Sequence, residues 1–250
     1  MKKIISVKAL TKIYSMGEVD VHALKGINVD ILEKEFVAVM GTSGSGKSTF
    51  MNIIGCLDEP SSGDYFLDGK NVRMMSRNQL AALRNQKIGF VFQSFNLLAR
   101  TSALENVELP LLYNPNVSAK ERKERAMHAL EAVGLGSRVH HYPNQLSGGQ
   151  QQRVAIARAL VNDSVVIMAD EPTGNLDSRT SIEIMEIFQG LNEKGITVIL
   201  VTHEPDIAEF TSRNIFFKDG NVIQDISVEK MKSAKQALSE LNNQKEILLP

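Results

Sequence analysis

This chain predicts an α/β fold: a buried, largely parallel sheet carrying helices, flanked by a small antiparallel layer and interrupted by a helical insert. Three observations lead there. Apolar runs of strand length recur at residues 36–40, 87–92, 165–169 and 196–201, each ending in a glycine or a polar residue. Weaker alternating segments cluster near the N-terminus and read as strands with one wet face. Between them, from residue 94 to 161, the pattern changes to helical periodicity with helix start signals.

In chain order, residues 4–10 and 23–32 read as two strands, joined by a polar connection over residues 14–20. Tyr14 opens that connection. At a strand end its ring is placed either to stack on an adenine, as aromatic side chains stack on bases, or to sit half-buried as an ordinary tyrosine. The next run, 36–40, enters Gly41, Thr42, Ser43, Gly44, Ser45, Gly46, Lys47, Ser48 and Thr49, which reads G-x-x-x-x-G-K-S, and apolar residues 50–54 follow as a helix. Strand, glycine loop and helix together make a phosphate cradle. Glycines let successive N–H groups point inward, and the helix start adds partial positive charge. Lys47 then places an ammonium between the outer phosphates, Ser48 offers a hydroxyl to Mg²⁺, and Thr49 reaches the innermost phosphate.

Residues 65–67 before Asp68-Gly69 read as a strand entering a hairpin turn. The run 87–92 ends at Gln93, which is either a contact to Mg²⁺ or its water, or a plain strand terminus. In the helical stretch, Ser102-Ala103-Leu104-Glu105 and Ser118-Ala119-Lys120-Glu121 match the S-x-x-E capping box. The second opens an amphipathic helix that runs to Val133 and stops at Gly134. Its mixed-sign run 120–125 reads as a solvated face. Ser147 is a good N-cap for the strong helix former that follows, yet Gly148-Gly149 in its first turn costs about 1 kcal/mol each. A second anion site needing bare backbone explains this, with the Ser147 hydroxyl and the Gly149 N–H as donors.

The run 165–169 ends in Asp170-Glu171. Asp170 is expected in the Mg²⁺ shell through water, and Glu171, pointing the other way, is suited to orient or deprotonate an attacking water. The run 196–201 ends at Thr202-His203.

Bulk composition narrows the classes. The 250 residues, 43% of them hydrophobic, suit one large α/β domain, and a net charge of -1 gives no support for a nucleic-acid partner. The one cysteine, Cys56, excludes an internal disulfide and reads as core filler in a reducing compartment. Residues 1–5 resemble the start of a signal peptide, but Lys8 and Lys12 interrupt the apolar stretch such a peptide requires. The expected location is therefore the cytosol, with any membrane work done through a partner.

Leu146-Ser147-Gly148-Gly149-Gln150 resembles the signature motif of the ATP-binding cassette family, and the resemblance extends through about residue 226. It implies a P-loop NTPase (RecA-like) core with a small antiparallel β subdomain and an inserted α-helical signature subdomain. The domains it implies are a nucleotide-binding domain over 1–226, with 94–161 inserted, and a helical extension over 227–250. It further implies ATP and Mg²⁺ as cofactors, the latter met by Ser48, Gln93 and Asp170. In the family, the turn from Ser147 to Gln150 contacts the terminal phosphate held by a second subunit. Asn175-Leu176-Asp177 would then lie at the dimer seam, bringing Asp177 toward nucleotide, and His203 would be the switch histidine. Catalysis is expected from Glu171, His203, Lys47 and Gln93 in a head-to-tail homodimer with two ATP at its interface.

Finer resemblance lies in Asn52-Ile53-Ile54-Gly55-Cys56-Leu57-Asp58, Ser102-Ala103-Leu104-Glu105-Asn106-Val107-Glu108-Leu109-Pro110-Leu111 and Glu171-Pro172-Thr173-Gly174-Asn175-Leu176-Asp177. These look like the subgroup of macrolide or peptide exporters and lipoprotein-releasing ATPases. The implied partner is an integral membrane permease, with or without a periplasmic adaptor, and the implied location is the cytoplasmic face of the inner membrane, peripherally. The alternative is a cargo-free ATPase transmitting force to extracytoplasmic cell-wall enzymes or peptide sensors. Phe95, Leu97, Leu98 and Thr101 are expected as rim contacts for a permease helix. Residues 228–241 read as a polar amphipathic helix whose packing partner is left open between its own domain and a dimer mate, or no partner at all.

Overall fold

The computed structural model describes residues 2–17 and 19–247, so Met1, Glu18 and the last three tail residues lie outside it. The chain begins with β1 (Lys3–Met16) and β2 (Val19–Leu32), a long antiparallel pair. Here the structure corrects the expected polar connection. Tyr14, Ser15 and Met16 pair with Val21, Asp20 and Val19, and Gly17 at φ +67° turns the chain. Polar residues on an exposed ladder read as loop because nothing on either side is buried.

β3 (Phe36–Gly41) and α1 (Lys47–Ile54) bracket the glycine loop. β4 (Ser62–Leu67) and β5 (Lys70–Asn71) form the expected hairpin, with Asp68 and Gly69 both at positive φ. α2 (Arg77–Lys87) follows. The sequence reading passed over this helix, although Ser76 and Gln79 form its capping box. Then come β6 (Ile88–Phe92), α3 (Ala103–Glu108), α4 (Ala119–Ala132) and α5 (Gly148–Leu160). The chain closes with β7 (Val166–Asp170), α6 (Ser178–Glu193), β8 (Thr197–Val201), α7 (Pro205–Ala208), β9 (Arg213–Lys218), β10 (Asn221–Ser227) and α8 (Ala234–Ile247).

Two sheets result, ordered β2-β1-β4-β5 and β10-β9-β3-β8-β7-β6. In the second, β3 lies parallel to both β8 and β9, and β7 is parallel to β8 and β6. Register brings the strand ends together: Val39 pairs with Val201, and Asp170 pairs with the same Val201. The glycine loop, Glu171 and His203 therefore leave one edge of the sheet, at the carboxyl ends where open α/β sheets bind ligands.

The core has two main bodies, one on each face. Val37, Val39, Met168, Ile199 and Val201 face α1 and the antiparallel sheet, among Phe50, Ile53 and Ile54. Phe36, Ile167, Ala169, Val198 and Leu200 face α5 and α6, among Ile156, Ile184 and Phe188. Continuous apolar strands thus still sort by alternation.

Buried polar side chains tie the irregular segments down. Asn106 on α3 is fully buried; its Oδ1 accepts the Leu98 N–H at 2.7 Å, and its Nδ2 reaches the Leu98 and Ser102 carbonyls at 3.2 and 3.0 Å. Gln189 on α6 does the same for the tail. Its Nε2 donates to Phe210 O and Lys232 O, and its Oε1 accepts the Ala234 N–H at 2.9 Å. α8 accordingly starts at Ala234, later than the periodicity placed it, and packs along α6 of its own chain.

Replacing Asn106 by Ala leaves the Leu98 N–H without its acceptor and empties a fully buried site, while the Leu98 and Ser102 carbonyls keep the Thr101 and Asn106 backbone N–H groups. Chemical denaturation should show a loss of roughly 2–3 kcal/mol.

Candidate functional site

Backbone approach decides the shape of the glycine loop. Gly41 has φ +146°, and a Cβ there would lie 2.3 Å from the Phe217 carbonyl oxygen on β9. Gly46, at φ +105°, caps α1, and its Cβ would lie 2.7 Å from the Ala23 carbonyl oxygen on β2. Neither position accepts a side chain. Lys47, 7% exposed, curls back over the loop and donates to the carbonyls of Gly41 and Thr42 at 2.8 and 2.9 Å. Burial pushes its ammonium below the usual lysine range, and the carboxylates of Glu171 and Asp170 partly offset that. Ser45 Oγ is buried beside the loop without a hydrogen-bond partner among the described residues.

Facing the loop is the end of β7. Burial pushes the Asp170 carboxyl above the usual carboxylate range; Glu171 acts in the same direction and Lys47 against it. Glu171 has φ +45° immediately before Pro172, a left-handed backbone that β-favouring pre-proline sterics oppose. Its N–H donates to Val201 O at 2.9 Å, and its Oε1 lies 3.0 Å from His203 Nδ1. The turn therefore delivers the carboxylate to the histidine that ends the neighbouring strand.

These groups share a cleft of about 780 Å³, lined by Thr42, Ser43, Gly44, Gly46, Lys47, Ser48, Thr49, Glu171 and His203. Its other wall is Val21, His22, Ala23 and Lys25 of β2, with Asp219 and Gly220 of the turn between β9 and β10. Sequence reasoning missed this wall. Only long-range pairing creates it: Lys25 N–H donates to Gly220 O at 2.9 Å, and Gly220 N–H to Ser45 O at 3.0 Å. Tyr14 is 37% exposed. It pairs with Val21 but does not line the cleft; its hydroxyl donates to Asp58 at 2.8 Å and Lys12 Nζ sits 4.8 Å from its ring centroid. Its side chain also lies within hydrogen-bond reach of Thr49 in the first turn of α1, and its partner across the ladder, Val21, lines the wall.

Gln93 follows β6 and stands outside the cleft lining. Its carbonyl accepts Asn175 Nδ2 at 3.0 Å, and its amide crowds Gly174, where a Cβ would lie 2.7 Å from Nε2. Beyond it Phe95 and Asn96 are both left-handed, at φ +59° and +49°. Arg158 of α5 holds both carbonyls, at 2.8 and 2.5 Å, with burial pushing its guanidinium down. A groove of about 1040 Å³ opens here, lined in part by Asn96, Leu98, Tyr113 and Arg158. Of the expected rim residues, Leu98 lines this groove. Leu97 packs on the core, Phe95 approaches Gly148, and the Thr101 hydroxyl donates to Leu98 O.

At the head of α5, the Ser147 hydroxyl accepts the Gln150 N–H while Gln150 Oε1 accepts the Ser147 N–H, a capping box. Bare backbone at Gly149 has a reason inside the chain. A Cβ there would lie 2.4 Å from Thr180 Cγ2 on α6, whereas at Gly148 the nearest atom is 3.4 Å away. Ser147, Gly148, Gly149 and Gln150 all lie outside the cleft of their own chain. Asp177 caps α6, accepting the Thr180 N–H at 3.0 Å and its hydroxyl at 2.5 Å, which holds its carboxyl below the usual range.

A family model described as ABC transporter matches residues 24–174. An uncharacterized ABC transporter ATP-binding protein of Thermotoga maritima is 54% identical over 89% of this chain and 94% of its own length. The macrolide export ATP-binding/permease protein MacB of Syntrophobacter fumaroxidans is 54% identical over 87% of this chain, which spans 31% of that relative. Among solved structures, the dimeric post-hydrolysis state of the ATP-binding cassette MJ0796 bound to ADP and Pi superimposes with a TM-score of 0.83. It is 48% identical and covers 90% of this chain and 99% of that one; MJ0796 belongs to Methanocaldococcus jannaschii.

Gly149→Ala tests the contact at the head of α5. The helix-propensity gain of about 1 kcal/mol is outweighed by the collision with a stiff β-branched side chain. Denaturant unfolding should show a net loss of roughly 1–2 kcal/mol, recovered in Gly149→Ala/Thr180→Ser, which removes the offending methyl and keeps the hydroxyl bonded to Asp177.

Proposed function

The chain belongs to the ABC transporter family, and from that premise we propose that it is the ATP-hydrolysing subunit of a transporter whose membrane permease is a separate chain. One observation carries this reading. A single cleft joins Lys47 and Ser48 to the Glu171–His203 pair, while the capped helix start at Ser147 lies outside its lining. Each chain thus holds one complete cradle and one half-site that fits another chain's nucleotide. Two copies arranged head to tail use all of them, and the dimeric state of the MJ0796 cassette supports that arrangement.

The residues fit Mg²⁺. A half-buried carboxyl, raised by burial and by the adjacent Glu171, gains from a cation beside it, and Ser48 offers a hydroxyl from the loop. Ser48, Asp170 and Gln93 are the residues that would hold the ion. When bound it neutralises charge on the outer phosphates. The loop N–H groups and Lys47 bind the phosphates, Lys47 exchanging its two loop carbonyls for phosphate oxygens. Glu171 orients the attacking water and accepts its proton, and His203 holds that carboxylate from Nδ1. The partner's Ser147 hydroxyl and Gly149 N–H stabilise the developing charge. ATP binding draws the pair closed and hydrolysis releases it.

Similarity to MacB favours the macrolide-export and lipoprotein-release subgroup. No helix among the described residues is long and apolar enough to cross a membrane, which suits a peripheral subunit on the cytoplasmic face. The groove at Leu98 and Tyr113, with 50% and 80% of those side chains exposed, is the surface for the permease.

Glu171→Gln should bind ATP with near-normal affinity, turn over at least about 100-fold more slowly and accumulate as a dimer in ATP by size-exclusion chromatography. Turnover at the normal rate would remove Glu171 from its role. Leu98→Arg should leave ATP binding by the isolated chain intact and weaken co-purification with the membrane partner; unchanged complex formation would move the docking surface elsewhere.

A further inference from the structure

The strained turn after β7 is secured by a group the reaction does not touch. Within the turn, Gly174 N–H donates to Glu171 O at 3.2 Å and Leu176 N–H to Thr173 O at 2.9 Å. The carbonyl between them, Pro172 O, is reached from another element: Gln152 Nε2 of α5 donates to it at 2.8 Å. Gln152 is fully buried, and its Oε1 has no hydrogen-bond partner among the described residues. Reversing the amide would set two acceptors face to face, so the bond to Pro172 fixes its orientation. A residue that only filled this space would be apolar, since an unpaired buried acceptor costs stability. The amide is kept for its N–H.

What it holds is the residue following Glu171, whose φ of +45° before a proline persists only where its surroundings over-determine it. We propose that Gln152 is a positioning residue for hydrolysis: by fixing the Pro172 carbonyl to α5, it keeps Glu171 in the left-handed conformation that presents its carboxylate to His203 and the cleft. This rests on Glu171 being the base. It also gives α5 two ends of one task, because the first turn of the same helix is the half-site offered to the partner's nucleotide. Engagement of one nucleotide then bears directly on the base at the other.

The experiment is steady-state ATP hydrolysis by the full chain between about pH 6 and 9, with Glu171→Gln, Gln152→Met and Gln152→Glu run beside it. Gln152→Met keeps length and loses the donor; its kcat should fall about tenfold with KM for ATP within about twofold. In Gln152→Glu the protonated carboxyl donates to Pro172 O and the carboxylate cannot. Its kcat, as a ratio to the unsubstituted chain at each pH, should climb toward unity on acidification. That comparison is made within one folded protein, so it holds even where the Met variant unfolds. Normal kcat in Gln152→Met, or a pH-independent ratio in Gln152→Glu, overturns the proposal while Glu171-dependent turnover stands. Normal turnover in Glu171→Gln removes the base assignment and this inference with it.

Discussion

Gly41 and Gly46 lie so close to the carbonyls of Phe217 and Ala23 that neither tolerates a Cβ. That contact couples the two sheets through the loop itself: one glycine presses on β9 of the mixed sheet, the other on β2 of the antiparallel one. The cradle is therefore clamped between two layers, with its depth set by backbone atoms that cannot change rotamer. Everything else in the cleft is positioned relative to it. Glu171 and His203 arrive from strands in register with β3, and the β2 wall arrives with the carbonyl that crowds Gly46.

Much of this was legible where the signal is local. Apolar runs marked β3, β6, β7 and β8, and glycine spacing marked the loop, because strand burial and phosphate geometry impose their residue types directly. Ser102 and Ser118 cap the helices they were expected to cap, and Gly134 at φ +76° ends α4. What was illegible is set by partners distant in sequence. Val21, His22 and Asp219 look like ordinary strand and turn residues until pairing brings them beside the loop. Equally illegible were the Asp58 carboxylate on the Tyr14 hydroxyl and the Lys12 ammonium over its ring. At Gly149 the demand for bare backbone has a source within the chain that the sequence did not reveal, the Thr180 methyl.

Part of the backbone strain in the molecule lies beside the site. Of the nine left-handed non-glycine residues among the described residues, Phe95, Asn96 and Glu171 lie in the segments that follow β6 and β7. Both segments are held by polar side chains from α5: half-buried Arg158 on the first and buried Gln152 on the second. Such groups cost stability unless bonded, typically 1–3 kcal/mol each, so they sit where an apolar side chain would pack more cheaply. Their bonds define loop geometry that packing alone would leave loose.

α5 is thus the element that ties down both turns beside the site. Its 13 residues span roughly 20 Å. Val154, Ala155, Ile156 and Ala157 in its middle are wholly buried, so it has no room to bend into. A helix packed this tightly transmits displacement as a rod. A shift at its first turn, where a neighbouring nucleotide would sit, must either break the bonds at Gln152 and Arg158 or carry the two strained turns along. Breaking them strands buried donors, whereas moving the turns lets backbone already in a shallow, sparsely populated conformation relax. The cheaper path is the second, and on the proposed roles it runs from the head of α5 toward Glu171, Gln93 and the groove at Leu98 together.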